Sequence, residues 1–142
     1  ERELPESFLD ALQKEVTIKY HEMLQHIGYA WAFQKKSMSA WNLMDQAMEK
    51  MKQLSHFAED IGGNGVPVIF KPKTIDIPKV FGKSLKQAAG DVLKSHVRHG
   101  KLMQEGEFQK HAGLVINLDL TIQQEQYQAD ELKDILNNTA KK

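Results

Sequence analysis

The stretch "GGNGVPVIFKPKTIDIPKVFG", residues 62–82, holds three of the chain's four prolines and four of its nine glycines. Proline cannot donate to a helical hydrogen-bond ladder, and glycine weakens a helix interior by about 1 kcal/mol relative to alanine. A stretch this dense in both is an irregular connection. Its length decides the architecture. A link of this size can run back along a bundle, whereas the other breaks in the 142-residue chain are only a few residues long.

On the N-terminal side of this link the pattern is helical. From about Pro5 to Gln34, apolar residues recur at Leu9, Leu12, Val16, Tyr20, Met23, Ile27 and Ala30, in the steps of three and four that mark an amphipathic helix. Pro5 suits its first turn. A short break at 35–39 follows, where Ser37 or Ser39 can cap a second helix over about 40–61. Trp41, Met44, Met48, Met51, Leu54 and Ala58 line one of its faces, and Gly62-Gly63 ends it. The methionines of that face are expected in the core.

On the C-terminal side, Ser84 can cap a third helix over about 84–104, with Leu85, Ala88, Val92 and Leu102 inward and Gly90 and Gly100 as weak points. A break at 105–110 precedes a fourth helix over about 111–138, striped by Leu114, Leu118, Ile122, Ala129, Leu132 and Leu136. Short, long, short links predict an all-α, single-domain four-helix bundle whose long connection crosses over between helices two and three. An up-down-up-down bundle with an oversized loop is the alternative.

Composition narrows the function. Lys+Arg and Asp+Glu balance at 19 each, and 41% of residues are hydrophobic. That balance gives no electrostatic footprint for nucleic acid. No apolar run is long enough to span a membrane. The chain has no cysteine, which excludes disulfides and thiol catalysis and fits a reducing compartment, so a cytoplasmic location is expected.

Metal sites in helical bundles are built from side chains on facing helices. Helix one carries a polar stripe of Glu15, Lys19, Glu22, His26 and Tyr29 beside the apolar one. Helix two offers Gln53 and His56, one turn apart. Helix three offers His96, and helix four offers Glu125 and Gln128. Each helix thus has a candidate near its middle. Each candidate also has a plainer role. Glu22 can be a surface carboxylate, and His56 a helix C-terminal histidine favoured by the dipole. His96 and His99 can be solvated, Glu125 can belong to a wet face in "QQEQYQADE", and Gln53 and Gln128 can be structural amides.

Taken together, these residues resemble the ferritin and bacterioferritin group. Glu22 followed seven residues later by Tyr29 is similar to the family's first-helix pattern. "QLSHFAEDI" resembles its Glu-x-x-His second helix, with Gln53 in place of the glutamate. "SLKQAAGDVLKSHVRHGK" resembles the third helix, with His96 at the usual glutamate. "EQYQADEL" resembles the fourth, with Glu125 at the carboxylate position and Gln128 beside it. The resemblance implies a ferritin-like fold and a metal set of Glu22, Gln53, His56, His96, Glu125 and Gln128. It makes Tyr29 the catalytic-site tyrosine that hydrogen-bonds behind the ligands. It also implies non-haem iron storage or handling, ferroxidase activity and a homo-oligomer, a dimer through helices one and two or a larger assembly. The short first link departs from cage-forming ferritins.

Only Glu22 and Glu125 in that set are anionic, where the family carries about four or five acidic groups. At an effective dielectric near 20, each missing charge at ~4 Å from a cation is worth on the order of 4 kcal/mol. Such a set suits one ion, whether iron, zinc, copper or manganese, better than two, and implies weakened or altered ferroxidase activity. Glu15, Glu59 and His26 are reserves if the register differs. The alternative is a catalytically inactive ferritin-like subunit with a structural or binding role in an assembly. A starvation-type protein that coats DNA is disfavoured by the zero net charge.

Overall fold

The computed structural model describes residues 4–71, 73–105 and 110–140. The chain is all-helical, with four helices and, among the described residues, no strand: α1 (Glu6–Phe33), α2 (Ala40–Gly63), α3 (Phe81–Met103) and α4 (Ala112–Ala140). It forms two compact units, Glu1–Asp76 and Ile77–Lys142.

The first unit is the α1–α2 hairpin. Pro5 stands at the N-cap with φ −57° and ψ 150°, and its carbonyl accepts from the amides of Phe8 and Leu9. Ser39 occupies the N-cap of α2, but its side chain makes no capping bond; its amide instead donates to Ser37 Oγ at 3.2 Å. The helices run antiparallel. Near the open end, the Leu4 amide donates to Asn64 Oδ1 at 2.8 Å, and at mid-length Lys50 meets Glu22. The start of the long connection is fastened to α1. The Gln13 side-chain amide donates to the Ile69 carbonyl at 2.6 Å and accepts from the Ile69 amide at 3.0 Å, while Phe70 packs edge-on against Tyr20. Residues 66–71 and 73–78 have neither helix nor strand, in keeping with Pro67 and Pro78.

The second unit is the α3–α4 hairpin. It too is antiparallel: Gly82, early in α3, lies beside Leu136, late in α4, and His99, late in α3, meets Glu125 at the middle of α4. The expected cap at Ser84 is corrected. Helix α3 starts a turn earlier, after an extended Val80, because Phe81 is buried and anchors the first turn. Ser84 is itself buried and its hydroxyl donates to the Phe81 carbonyl at 2.6 Å. The expected break at 105–110 falls largely outside the described residues.

Each helix buries a seam with the heptad-like steps of packed helices. On α1 it is Phe8, Leu12, Glu15, Lys19, Glu22, His26, Tyr29 and Phe33. On α2 it is Ala40, Leu43, Ala47, Lys50, Leu54, Phe57 and Ile61, flanked by Gln46 and Gln53. On α3 it is Phe81, Leu85, Ala88, Val92, Ser95 and His99, and on α4 Leu114, Leu118, Thr121, Glu125, Gln128, Leu132 and Ile135. Two expectations are overturned here. On α1 the polar stripe is the buried seam, and Tyr20, Met23 and Ile27 are only half-buried. On α2 the methionine face is not core: Met48 is 49% exposed, Met51 41% and Trp41 44%. The seam lies about a third of a turn away, because Lys50 and Gln53 find polar company inside while Ala40, Leu43, Ala47 and Phe57 supply the apolar packing.

Candidate functional site

The polar seam of α1 places its groups on one helix face by the i, i+3, i+4 rule. Glu22 is buried, as sequence reasoning required of a site residue, so the surface-carboxylate reading of it fails. Its Oε1 lies 3.2 Å from the Nζ of Lys50, and both side chains are sealed from solvent. A lysine ammonium in that setting is held by the carboxylate, and the carboxylate is neutralised by it. Four residues on, His26 is fully buried and its Nδ1 donates to the Glu22 carbonyl at 2.9 Å. That bond puts the ring proton on Nδ1 and leaves Nε2 as a buried lone pair, and the Gln46 side chain also interacts with the ring. Burial, chiefly, lowers the His26 pKa to about 3; the Lys50 charge, and more weakly that of Lys19, push the same way, while the Glu22 carbonyl and the neighbouring Gln46 amide oppose. The imidazole is therefore neutral at physiological pH.

Tyr29 is also fully buried, its ring stacked toward His26 with centroids 6.4 Å apart. On α2, Gln53 is buried on the seam, whereas His56 is only half-buried at its edge. The first unit thus brings together Glu22, Lys50 and His26. Of these, Lys50 is not among the residues that the sequence singles out. The available signal was the heptad step Ala47–Lys50–Leu54.

In the second unit, Glu125 and Gln128 are both buried on α4, so the wet-face reading of "QQEQYQADE" does not hold for them. Glu125 Oε1 is 2.9 Å from Nδ1 of His99, and both side chains are fully buried. The solvated reading of His99 is overturned. His96, the candidate from sequence, is half-buried, and its Nδ1 has no hydrogen-bond partner. His99 lies seven residues after Val92, two full helical turns along the seam, while His96 lies to its side; that spacing was the signal.

Chemically, the two carboxylates expected to serve a metal are each bonded to a protein donor, an ammonium in one unit and an imidazole in the other. Among the described residues no three His, Asp or Glu side chains gather closely enough to hold an ion. The fit to a two-iron centre is poor on the donor set itself. Glu22 is already neutralised by the Lys50 ammonium, which competes with any cation for that carboxylate. No helix among the described residues is long and apolar enough to cross a membrane. No protein-family model matches the chain, and no curated protein matches it either.

Proposed function

We propose that this chain is a ferritin-like subunit without ferroxidase chemistry, serving as a structural member of a homo-oligomeric assembly that handles iron. The observation that carries this reading is the sealed Lys50–Glu22 pair. A protein ammonium takes the role that a metal cation plays in a working site: it neutralises the buried carboxylate and ties α2 to α1. The His99–Glu125 contact likewise ties α3 to α4. The ferritin-like part of the reading takes the four helices as a one-crossover bundle, with residues 64–80 as the crossover. It is supported by the two antiparallel hairpins, the long proline-rich link and the matched pattern of Glu22, Tyr29, Gln53, His56, Glu125 and Gln128.

A second reading keeps metal chemistry, with a single iron or other divalent ion and slow Fe(II) oxidation. It is favoured by the neutral His26 ring, whose buried Nε2 carries a lone pair. One experiment separates the two. Fe(II) is mixed with the protein under air and its oxidation followed by stopped-flow absorbance, beside a protein-free control and the Lys50→Ala variant. The proposal expects wild-type traces equal to the control. Oxidation faster than the control in the wild type, lost in Glu22→Ala, establishes the second reading instead.

A further inference from the structure

The face of α2 that flanks its buried seam, about a third of a turn away, carries an unusual concentration of sulfur. Four of the chain's six methionines, Met38, Met44, Met48 and Met51, fall within fourteen residues, in a chain with no cysteine. Met44, Met48 and Met51 follow one another at i, i+4 and i+7, so they form a single stripe along the helix, with Met48 about 5–6 Å in Cβ spacing from each neighbour. Met48 and Met51 are exposed to 49% and 41%, and Met44 is half-buried. Trp41, three residues before Met44, is exposed at the head of the stripe.

Packing within the hairpin does not account for these residues, because Met48 and Met51 stay exposed beside a seam filled by Leu43, Ala47, Leu54 and Phe57. A thioether differs from a leucine side chain of similar volume in one chemical respect: its sulfur carries a soft, polarisable lone pair on a flexible stem. Soft thioether donors select Cu(I) among biological metals and bind hard divalent ions poorly. Met44 and Met51 lie about 10 Å apart along the helix axis with Met48 between them, a separation that flexible thioether stems can reach across. The exposed Asp45, three residues before Met48, adds a carboxylate beside the stripe, and the indole of Trp41 offers a π-face at its N-terminal end.

We infer that Met44, Met48 and Met51 form a surface site for one soft monovalent cation, Cu(I) in a reducing compartment, on the outer face of α2. No electron transfer is involved: the ion arrives as Cu(I), and three thioether sulfurs replace its carrier ligands. The site lies within one helix, and it stands or falls independently of the iron proposal.

The probe is Ag(I), a redox-inert ion of the same charge and softness, titrated in chloride-free buffer into the full chain. Native mass spectrometry reads stoichiometry, Trp fluorescence reads the environment of Trp41, and the methionine methyl NMR signals report which sulfurs are engaged. The expected result is one ion per chain, with shifts at the methyls of Met44, Met48 and Met51. The Met44→Leu/Met48→Leu/Met51→Leu variant, which conserves volume and apolarity, should fold with an unchanged circular dichroism spectrum and lose that ion. Met38→Leu should keep it. Failure of the wild type to take up Ag(I), or equal uptake by the triple variant, overturns the inference. So does a loss of uptake in Met38→Leu with the triple variant unaffected.

Discussion

A lysine ammonium sealed from water is tolerable only beside a negative charge, and Glu22 supplies one to Lys50 at 3.2 Å. Removing one member of such a pair leaves the other's buried charge without its opposite at 3.2 Å. Lys50→Met should therefore destabilise the protein by about 3–5 kcal/mol, measured by urea unfolding. The double variant Lys50→Met/Glu22→Met should recover most of that loss, because replacing a buried pair by apolar groups of similar volume is often neutral. A single variant within about 0.5 kcal/mol of wild type, the range of ordinary surface substitutions, would show that the pair is not sealed in solution. His26 has a different signature. Its folded pKa is about 3 against 6.5 when unfolded, so between those values the unfolded chain binds a proton that the folded chain refuses. The resulting slope is positive. Stability is full above about pH 6.5 and falls as pH drops toward 3, by up to about 1.4 kcal/mol per unit. The check is unfolding free energy against pH for wild type and His26→Gln, with the variant expected to show the shallower slope. The ring signals of His26 should meanwhile keep their neutral shifts down to pH 4.5; titration near 6.5 would remove the argument.

At the scale of the element, helix boundaries were legible because their signals are local. Pro5, Gly62-Gly63 and the break before Ala112 act through backbone geometry that the sequence states directly. Helix α2 runs through both glycines to Gly63, with Asn64 after it and Gly65 at φ 74°. That positive φ is where glycine is required, and Gly65→Ala should lower stability by about 1 kcal/mol even though the space for a methyl is open. Gly90 and Gly100 are the opposite case. Both lie inside α3, neither has positive φ, and a Cβ at either would meet nothing within 4 Å. Gly90→Ala and Gly100→Ala should each stabilise by about 0.5–1 kcal/mol, read as a rise in the thermal midpoint. The start of α3 was less legible: Ser84 has the chemistry of a cap, but burial of Phe81 draws the helix back a turn, and packing outweighs a cap preference of about 1 kcal/mol.

At the scale of the whole molecule, each unit keeps large apolar side chains in solvent, Trp31 at 61% in the first and Val97 and Ile116 at 58% and 61% in the second, which a subunit of an assembly would cover. The proposed function therefore expects light scattering after size exclusion to give a mass that is a multiple of 16.2 kDa. A lone 16.2 kDa species at micromolar concentration would remove the assembly from the reading.

The sequence by itself determined four helices, their order and the irregular connection after α2. Those follow from periodicity and from proline and glycine, which act within a few residues of where they stand. It also singled out Glu22, Gln53, His56, His96, Glu125 and Gln128 near the middles of the helices, and of these Glu22, Gln53, Glu125 and Gln128 are buried while His56 and His96 are half-buried. Only the tertiary structure decided which stripe of α1 and α2 is buried, and that Lys50 and His99 are the partners of the two glutamates. Hydropathy assigns every lysine and glutamate to solvent one at a time. Their burial becomes affordable only as pairs, and a pair exists only once two helices have brought it together.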